Sequence, residues 1–469
     1  MKAVVVLDVG KTMSKLTLWN GGELIARETR PNISVEGPGY AALDASGIEH
    51  WLLEMLAQFS RTAEIGAIIP VGHGAAAAIV RDGAIVMPPM DYESPIPAVE
   101  RQDYDRQRDP FASTGSPALP DGLNLGAQLH HIEALDPAGF KNSTILLWPQ
   151  YWAWFLSGVA ASEVTSLGCH TDLWLPTQQR ESELAARRGW AAMLPPLRRA
   201  SDPLGPVRPE IAARTGLPPE AQVHCGLHDS NAALVAARAF PEIGDCEATV
   251  LSTGTWFVAM RTPAPGAGVD IGALPEYRDC LVNVDAFGRP VPSSRFMGGR
   301  EIETLTGIDT RRIDIKPDQG DLLAAVPGVI ADGQMVLPTF AAGVGPFPNA
   351  RGHWVSRPSD QAKQRAAVSL YAALVADVAL DLIGSCERIL IEGRFAEAEV
   401  FVRGLAALRP QTKVYVANAH NDVSFGALRL LDPGLQPSSS LRRVRPLGAD
   451  LSAYSNRWRD LAEQLEEAA

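Results

Sequence analysis

Three short polar stretches carry the residue types that could do chemistry, and each follows an apolar run. Asp8-Val9-Gly10-Lys11-Thr12 follows residues 3–7, His228-Asp229 follows 223–227, and Ser252-Thr253-Gly254-Thr255 follows 248–251. A carboxylate such as Asp8 at a strand end can hold a hydrated divalent cation, because Mg²⁺ gives up its water reluctantly. Turns of small residues can converge backbone N–H groups on an anion. Lys11 would add a positive charge. Two such turns approaching from opposite domains would clamp a polyphosphate. Asp229 begins a helical stretch and has two readings. It can simply cap that helix, or it can act as a general base that takes a proton from a hydroxyl attacking a γ-phosphate.

The elements that must position these groups are legible from periodicity. Residues 3–7 form a β-branched apolar run, and 14–19 alternate, with Leu16 and Leu18 on one face and Lys15, Thr17 and Trp19 on the other. This hairpin recurs at 248–251 and 256–260, a weak internal repeat that predicts two related α/β domains facing each other. Residues 88–120 read as a long proline-rich loop, and 122–135 as a helix with His130 and His131 on its surface. Residues 148–156 read as an aromatic helix, 361–383 as a long helix with one apolar face, 435–446 as a linker and 452–466 as a terminal amphipathic helix.

Composition narrows the class. The chain has 469 residues, 46% hydrophobic and 20% charged, which suits a folded protein of two or three domains. A net charge of −12 argues against a general nucleic-acid surface. The five cysteines are scattered singly, with no CxxC pair, so neither a zinc site nor a disulfide framework is expected. No apolar run reaches the ~18 residues of a membrane span. The chain opens on a strand with no basic-then-apolar leader, and a cytoplasmic location is expected.

Five motifs in order resemble the FGGY family of carbohydrate kinases, over about residues 1–432. Asp8-Val9-Gly10-Lys11-Thr12-Met13-Ser14-Lys15 is similar to the first phosphate motif, with Lys11 where a small hydroxyl residue is usual. Gly72-His73-Gly74 falls at the sugar-contacting turn. Pro149-Gln150-Tyr151-Trp152 with Leu156-Ser157-Gly158 is similar to the P-K-D-Y-L…L-T-G segment. Gly226-Leu227-His228-Asp229 resembles the catalytic-base motif, and Ser252-Thr253-Gly254-Thr255 the second phosphate motif. The His before the base and Asp91-Tyr92 resemble the rhamnulokinase and L-fuculose kinase branch.

The resemblance implies a fold of two actin-like (ribonuclease H-like) α/β domains, each a mixed sheet with flanking helices, around a deep interdomain cleft. The expected divisions are 1–240, 246–432, and a linker with terminal helix at 433–469. It implies ATP- and Mg²⁺-dependent phosphorylation of a small ketose: a 6-deoxyketohexose such as L-rhamnulose or L-fuculose, or a related pentulose or tetrulose. Asp229 would be the base and Asp8 the metal's partner. Gly10, Lys11, Thr12, Ser14, Thr253, Gly254, Thr255, Gly393 and Arg394 would contact the nucleotide, and His73, Asp91, Tyr92, His170 and His228 the sugar. The family's adenosine motif is glycine-rich, whereas this chain has Glu392-Gly393-Arg394-Phe395, which implies either that Arg394 or Phe395 stacks on the base instead or that the nucleotide preference is unusual. That departure motivates an alternative, a catalytically silent kinase-like sensor of sugar or nucleotide. Expected partners are the sugar and ATP, with no nucleic acid and no membrane. Oligomeric state is left open, a homodimer being one option.

Overall fold

The computed structural model describes residues 2–312, 314–417 and 423–469. The segment Asn418-Ala419-His420-Asn421-Asp422, which differs from the family's pattern, lies outside the described residues. The chain divides into two compact units. The first comprises Met1–Ala239, Val282–Pro290 and Asn421–Pro437, and the second Phe240–Leu281, Val291–His420 and Ser438–Ala469. Each unit therefore recruits segments from outside the continuous spans expected from the sequence.

The first unit is built on a mixed sheet in the order Pro203–Pro206, Gln222–His224, Ile65–Gly72, Ala3–Val9, Met13–Asn20, Glu23–Pro31, with Leu227–His228 also on Ile65–Gly72. Ala3–Val9 pairs antiparallel with Met13–Asn20 and parallel with Ile65–Gly72. The second face of this strand is covered as well, since Thr17 and Trp19 are both buried. Leu16 and Leu18 pack with Leu52, Leu56 and Trp152 on one face, while Trp19 joins Val6, Val71 and Leu428 on the other. A sheet with helices on both faces buries both sets of alternating side chains.

The second sheet runs Pro290–Phe296, Phe257–Thr262, Ala248–Thr253, Arg388–Gly393, Lys413–Ala417, Leu441–Arg443, with Cys280–Val284 at the outer edge. Its central pairings repeat those of the first: an antiparallel hairpin, a third antiparallel strand beside it, two parallel strands on its other side, and an antiparallel edge. The internal repeat read from two short hairpins thus extends to six strands. Helix Gln361–Leu382 is buried on nearly all sides rather than along one stripe, as a helix in the middle of a core must be.

Several local expectations are corrected. Residues 88–120 are not one loop, because helix Ala98–Gln107 forms there, anchored by buried Tyr104 on Asp172. His130 and His131 are buried rather than surface residues. Glu100 of that helix pairs with His131 Nδ1, and Arg188 Nη1 lies 2.7 Å from His130 Nδ1. The expected linker contains Leu441–Arg443, which closes the edge of the second sheet.

Candidate active site

Backbone register decides where the first unit's polar groups meet. Val9 lies opposite Gly72, and Gly72 opposite His228, on parallel strands. The residues that follow these strands, the Gly10-Lys11-Thr12 turn, His73 and Asp229, therefore emerge side by side. The carboxyl ends of parallel strands are where α/β sheets hold ligands.

Asp229 is the first residue of helix Asp229–Ala237, and the cap position belongs to His228. Its Oδ1 accepts from Ser230 N–H (2.6 Å) and Ser230 Oγ–H (3.2 Å) and lies 3.3 Å from His228 Nε2. This carboxylate is thus not serving as the helix cap, and it is half-exposed. Around it, His73 packs edge-on to Tyr92 with ring centres 5.6 Å apart. His73 Nδ1–H donates to the Gly74 carbonyl (2.7 Å), which leaves Nε2 as an acceptor. Burial lowers the pKa of His73, partly offset by the Gly74 carbonyl and Asp229; burial likewise lowers that of His228, against Asp229. Burial, with the charges of Glu93, Asp229 and Asp91, pushes the Tyr92 phenol up to about 12.

Lys11, the residue least like its family counterpart, is bonded to Asp91, lies 3.4 Å from Glu93 and sits 5.1 Å over the Tyr92 ring. Asp91 also accepts from Ser34 Oγ–H and from Glu93 N–H (2.9 Å). Lys11 is therefore a brace between the first turn and the Asp91-Tyr92 loop. Burial raises the Asp91 pKa, but hydrogen bonds from Lys11, Ser34 and Glu93 outweigh it, so the net shift is downward. Its stabilisation is thus full above the unfolded value near 3.9 and is lost as pH falls through the lower folded value. Lys11→Met strands a buried carboxylate. It is expected to cost about 1–3 kcal/mol at pH 7 and to raise the sugar KM more than it lowers kcat, read by urea melts and steady-state kinetics.

Other expected contacts fall elsewhere. Ser14 is fully buried and donates to Asn32 Oδ1 (2.8 Å), while Asn32 Nδ2 holds the Gly10 carbonyl (2.7 Å). It shapes the turn from within, because its side chain points to the packed face of the strand. Thr12 is exposed and Gly10 half-exposed. His170 is half-buried, has φ 39° and donates Nδ1–H to the Leu123 carbonyl (2.6 Å). Trp148, Tyr151 and Trp152 are core residues. Asp8 is buried with Lys15 Nζ 3.1 Å away. Among the described residues no group of three or more His, Cys, Asp or Glu could hold a metal. A single strand-end carboxylate fits a cation that keeps most of its waters.

In the second unit, the Thr253 hydroxyl is buried between the Glu392 carbonyl (2.5 Å), to which it donates, and Phe395 N–H (3.1 Å), from which it accepts. Thr255 and Gly254 stay half-exposed. Gly393 has φ 86°, and a Cβ there would overlap the Thr253 carbonyl, so this one glycine is required by the backbone. Arg394 donates to Thr310 Oγ1 (2.7 Å) and lies 3.6 Å from Glu303. Phe395 is buried against Phe257 at 5.2 Å. It also lines a largely apolar cavity beside this segment, together with Ile302, Thr310, Gln319, Arg365, Val368 and Phe401.

Sequence reasoning missed Glu163, Thr165, Cys169 and Asn231. Glu163 is fully buried; its Oε2 accepts from Thr165 Oγ1–H (2.5 Å), and Thr165 Oγ1 accepts from His228 N–H (2.9 Å). Cys169 Sγ lies 3.3 Å from His228 Nε2. Only Asn231 carried a signal, its spacing of one helical turn from His228. Burial raises the Glu163 pKa to about 7, against hydrogen bonds from Thr165 and Ser166. An acid that holds its proton more tightly when folded destabilises the fold as pH rises from its unfolded value near 4.3 to 7, by about 3 kcal/mol. Glu163→Gln is expected to flatten that slope in melts across this range.

A carbohydrate kinase from Novosphingobium aromaticivorans is 60% identical, with TM-score 0.95, covering 98% of this chain and 100% of its own. The chain belongs to the FGGY family of carbohydrate kinases. The family model described as carbohydrate kinase FGGY, C-terminal domain, matches residues 245–438 of the kinase. Xylulose kinase from Rhodospirillum rubrum (21% identical, TM-score 0.78, covering 100% and 98% of the two chains) shares the fold. So does Plasmodium falciparum glycerol kinase with ADP (11%, 0.79, 99% and 98%). No match is found among curated proteins. The kinase is thus a phosphotransferase acting on a sugar, and kinases of this family take ATP as co-substrate, generally with Mg²⁺. No described helix is long and apolar enough to cross a membrane.

Proposed function

We propose that this kinase transfers the γ-phosphoryl group of ATP to a hydroxyl of a small ketose, with Asp229 as general base. The observation that carries the reading is the convergence of Asp229, His73 and Tyr92 beside the Lys11–Asp91 pair, on adjacent strand ends of one unit. Asp229 takes the proton of the attacking hydroxyl, while His73 Nε2 and Tyr92 hold sugar hydroxyls and exclude water. The branch-like His228-Asp229 and Asp91-Tyr92 pairs support a 6-deoxyketohexose such as L-rhamnulose or L-fuculose; a pentulose or tetrulose is the nearest alternative class.

Asp8 would hold Mg²⁺ through water, which neutralises charge on the transferring group. Gly10, half-exposed, and Thr12, exposed, would meet phosphate oxygens in the first unit, and the half-exposed Gly254 and Thr255 would do so in the second. Adenine would lie beside Gly393 and Arg394 in the second unit, where the family's adenosine motif falls. A screen of tetruloses, pentuloses and 6-deoxyhexuloses alongside aldoses, polyols and sugar acids, by ADP release, tests the acceptor class. Turnover on a ketose at least tenfold above aldoses and polyols is expected, and preference for a polyol or sugar acid overturns it.

A further inference from the structure

Asn231 is buried beside His228, with its Nδ2 3.2 Å from His228 Nδ1. An amide nitrogen can only donate, so Nδ1 is the unprotonated nitrogen and the ring proton sits on Nε2. Nε2 in turn lies 3.3 Å from Asp229 Oδ1. The opposite amide orientation would pair Asn231 Oδ1 with a protonated Nδ1 and leave Nε2 with only the weak Cys169 S–H donor, beside a carboxylate oxygen that can donate nothing. Asn231 Oδ1 is left with no partner in the orientation found, so donation to His228 prevails over satisfying that oxygen.

We propose that Asn231 and His228 are positioning residues: Asn231 fixes the Nε2–H tautomer of His228, which donates to Asp229 Oδ1 and leaves Oδ2 to take the substrate's proton. Ser230 N–H and Ser230 Oγ–H are bonded to the same Oδ1, and His228 Nε2 stands 3.3 Å from it as the third donor. Cys169 Sγ shares the same ring N–H as a weak acceptor. The inference rests on Asp229 being the base. The chain geometry supports it independently, because His228 and Asn231 are separated by one helical turn on the element that starts with Asp229. The other titratable and charged groups facing this carboxylate are His73 from the neighbouring strand end and Tyr92 from its loop, with Lys11, Asp91 and Glu93 one contact beyond.

The test is a mutant cycle read by pH profile. Asn231→Ala is expected to raise the acidic limb of kcat/KM by about one pH unit, the effect of losing one hydrogen bond to a carboxylate. It should lower kcat about tenfold and change the sugar KM little. His228→Gln, whose Nε2 can donate from a similar position, is expected to keep the acidic limb; His228→Leu should raise it. In the His228→Gln background there is no tautomer to fix, so Asn231→Ala should have little further effect. ¹⁵N NMR of histidine-labelled full-length kinase, assigned by loss of the His228→Gln signal, should show His228 as the Nε2–H tautomer and shift it in Asn231→Ala. An Nδ1–H tautomer in the unsubstituted kinase, an unmoved acidic limb, or equal losses in both backgrounds overturns the proposal. Asp229→Asn run alongside separates the two readings: near-normal turnover there removes the base itself, whereas an inactive Asp229→Asn with an unmoved limb in Asn231→Ala removes only the positioning role.

Discussion

Asp229→Asn is expected to lower kcat for sugar phosphorylation by about 10²–10⁴-fold, the usual contribution of a positioned general base. The substitution keeps shape and one acceptor oxygen but removes the proton acceptor. Among the described residues its close contacts are with Ser230 and His228, all on Oδ1, so the helix start should survive the change. The sugar KM is therefore expected to move by less than about tenfold, and melts should overlay within about 0.5 kcal/mol. Coupled detection of ADP with and without sugar reads both quantities. Near-normal turnover on the true acceptor would mean that the hydroxyl is deprotonated elsewhere. A loss carried by KM alone would make Asp229 a sugar ligand rather than a base.

A large effect on stability is also expected at Gly426, far in sequence from the helix it packs against. Helix Val423–Leu431 lies against helix Asp229–Ala237 within the first unit. A Cβ at Gly426 would overlap the Ala232 carbonyl and approach the Ala236 nitrogen to 3.1 Å. Backbone meets backbone here, and nothing flexible can yield. Gly426→Ala is expected to cost about 1–3 kcal/mol, a fall in Tm of about 1–5 °C. Because the displaced helix begins with Asp229, kcat should drop by up to about 10²-fold as well. Gly448→Ala is the control, since nothing lies within 4 Å of a Cβ there. An unchanged Tm in Gly426→Ala would show that the two helices are not in backbone contact.

The close approach at Gly426 explains the run of small residues after Asp229, Ala232-Ala233 and Ala236-Ala237, which has no evident purpose when read as sequence. The same holds for Lys11. In the sequence it sits in a phosphate-binding turn and reads as a phosphate ligand. In the fold it is paired with Asp91, from a loop that the motif places on the sugar side. Ser14 shows the limit of motif transfer in the other direction. It matches the phosphate pattern by position, yet strand alternation turns it into the interior, where it bonds Asn32.

What the sequence by itself determined is the family, the two-fold repeat and the order of the polar turns along the chain. Those are local properties: apolar runs of strand length, small residues at turns, and acids at strand ends. Tertiary structure alone decided which of these groups meet. Register between Ala3–Val9, Ile65–Gly72 and Leu227–His228 brings Asp229 level with His73, although more than half of the first unit separates them in sequence. It also decided charge and tautomer. Burial lowers the pKa of His228, and Asn231 beside it selects the ring nitrogen that carries the proton. Desolvation and hydrogen-bond direction depend on neighbours brought from distant parts of the chain, which no local spacing records.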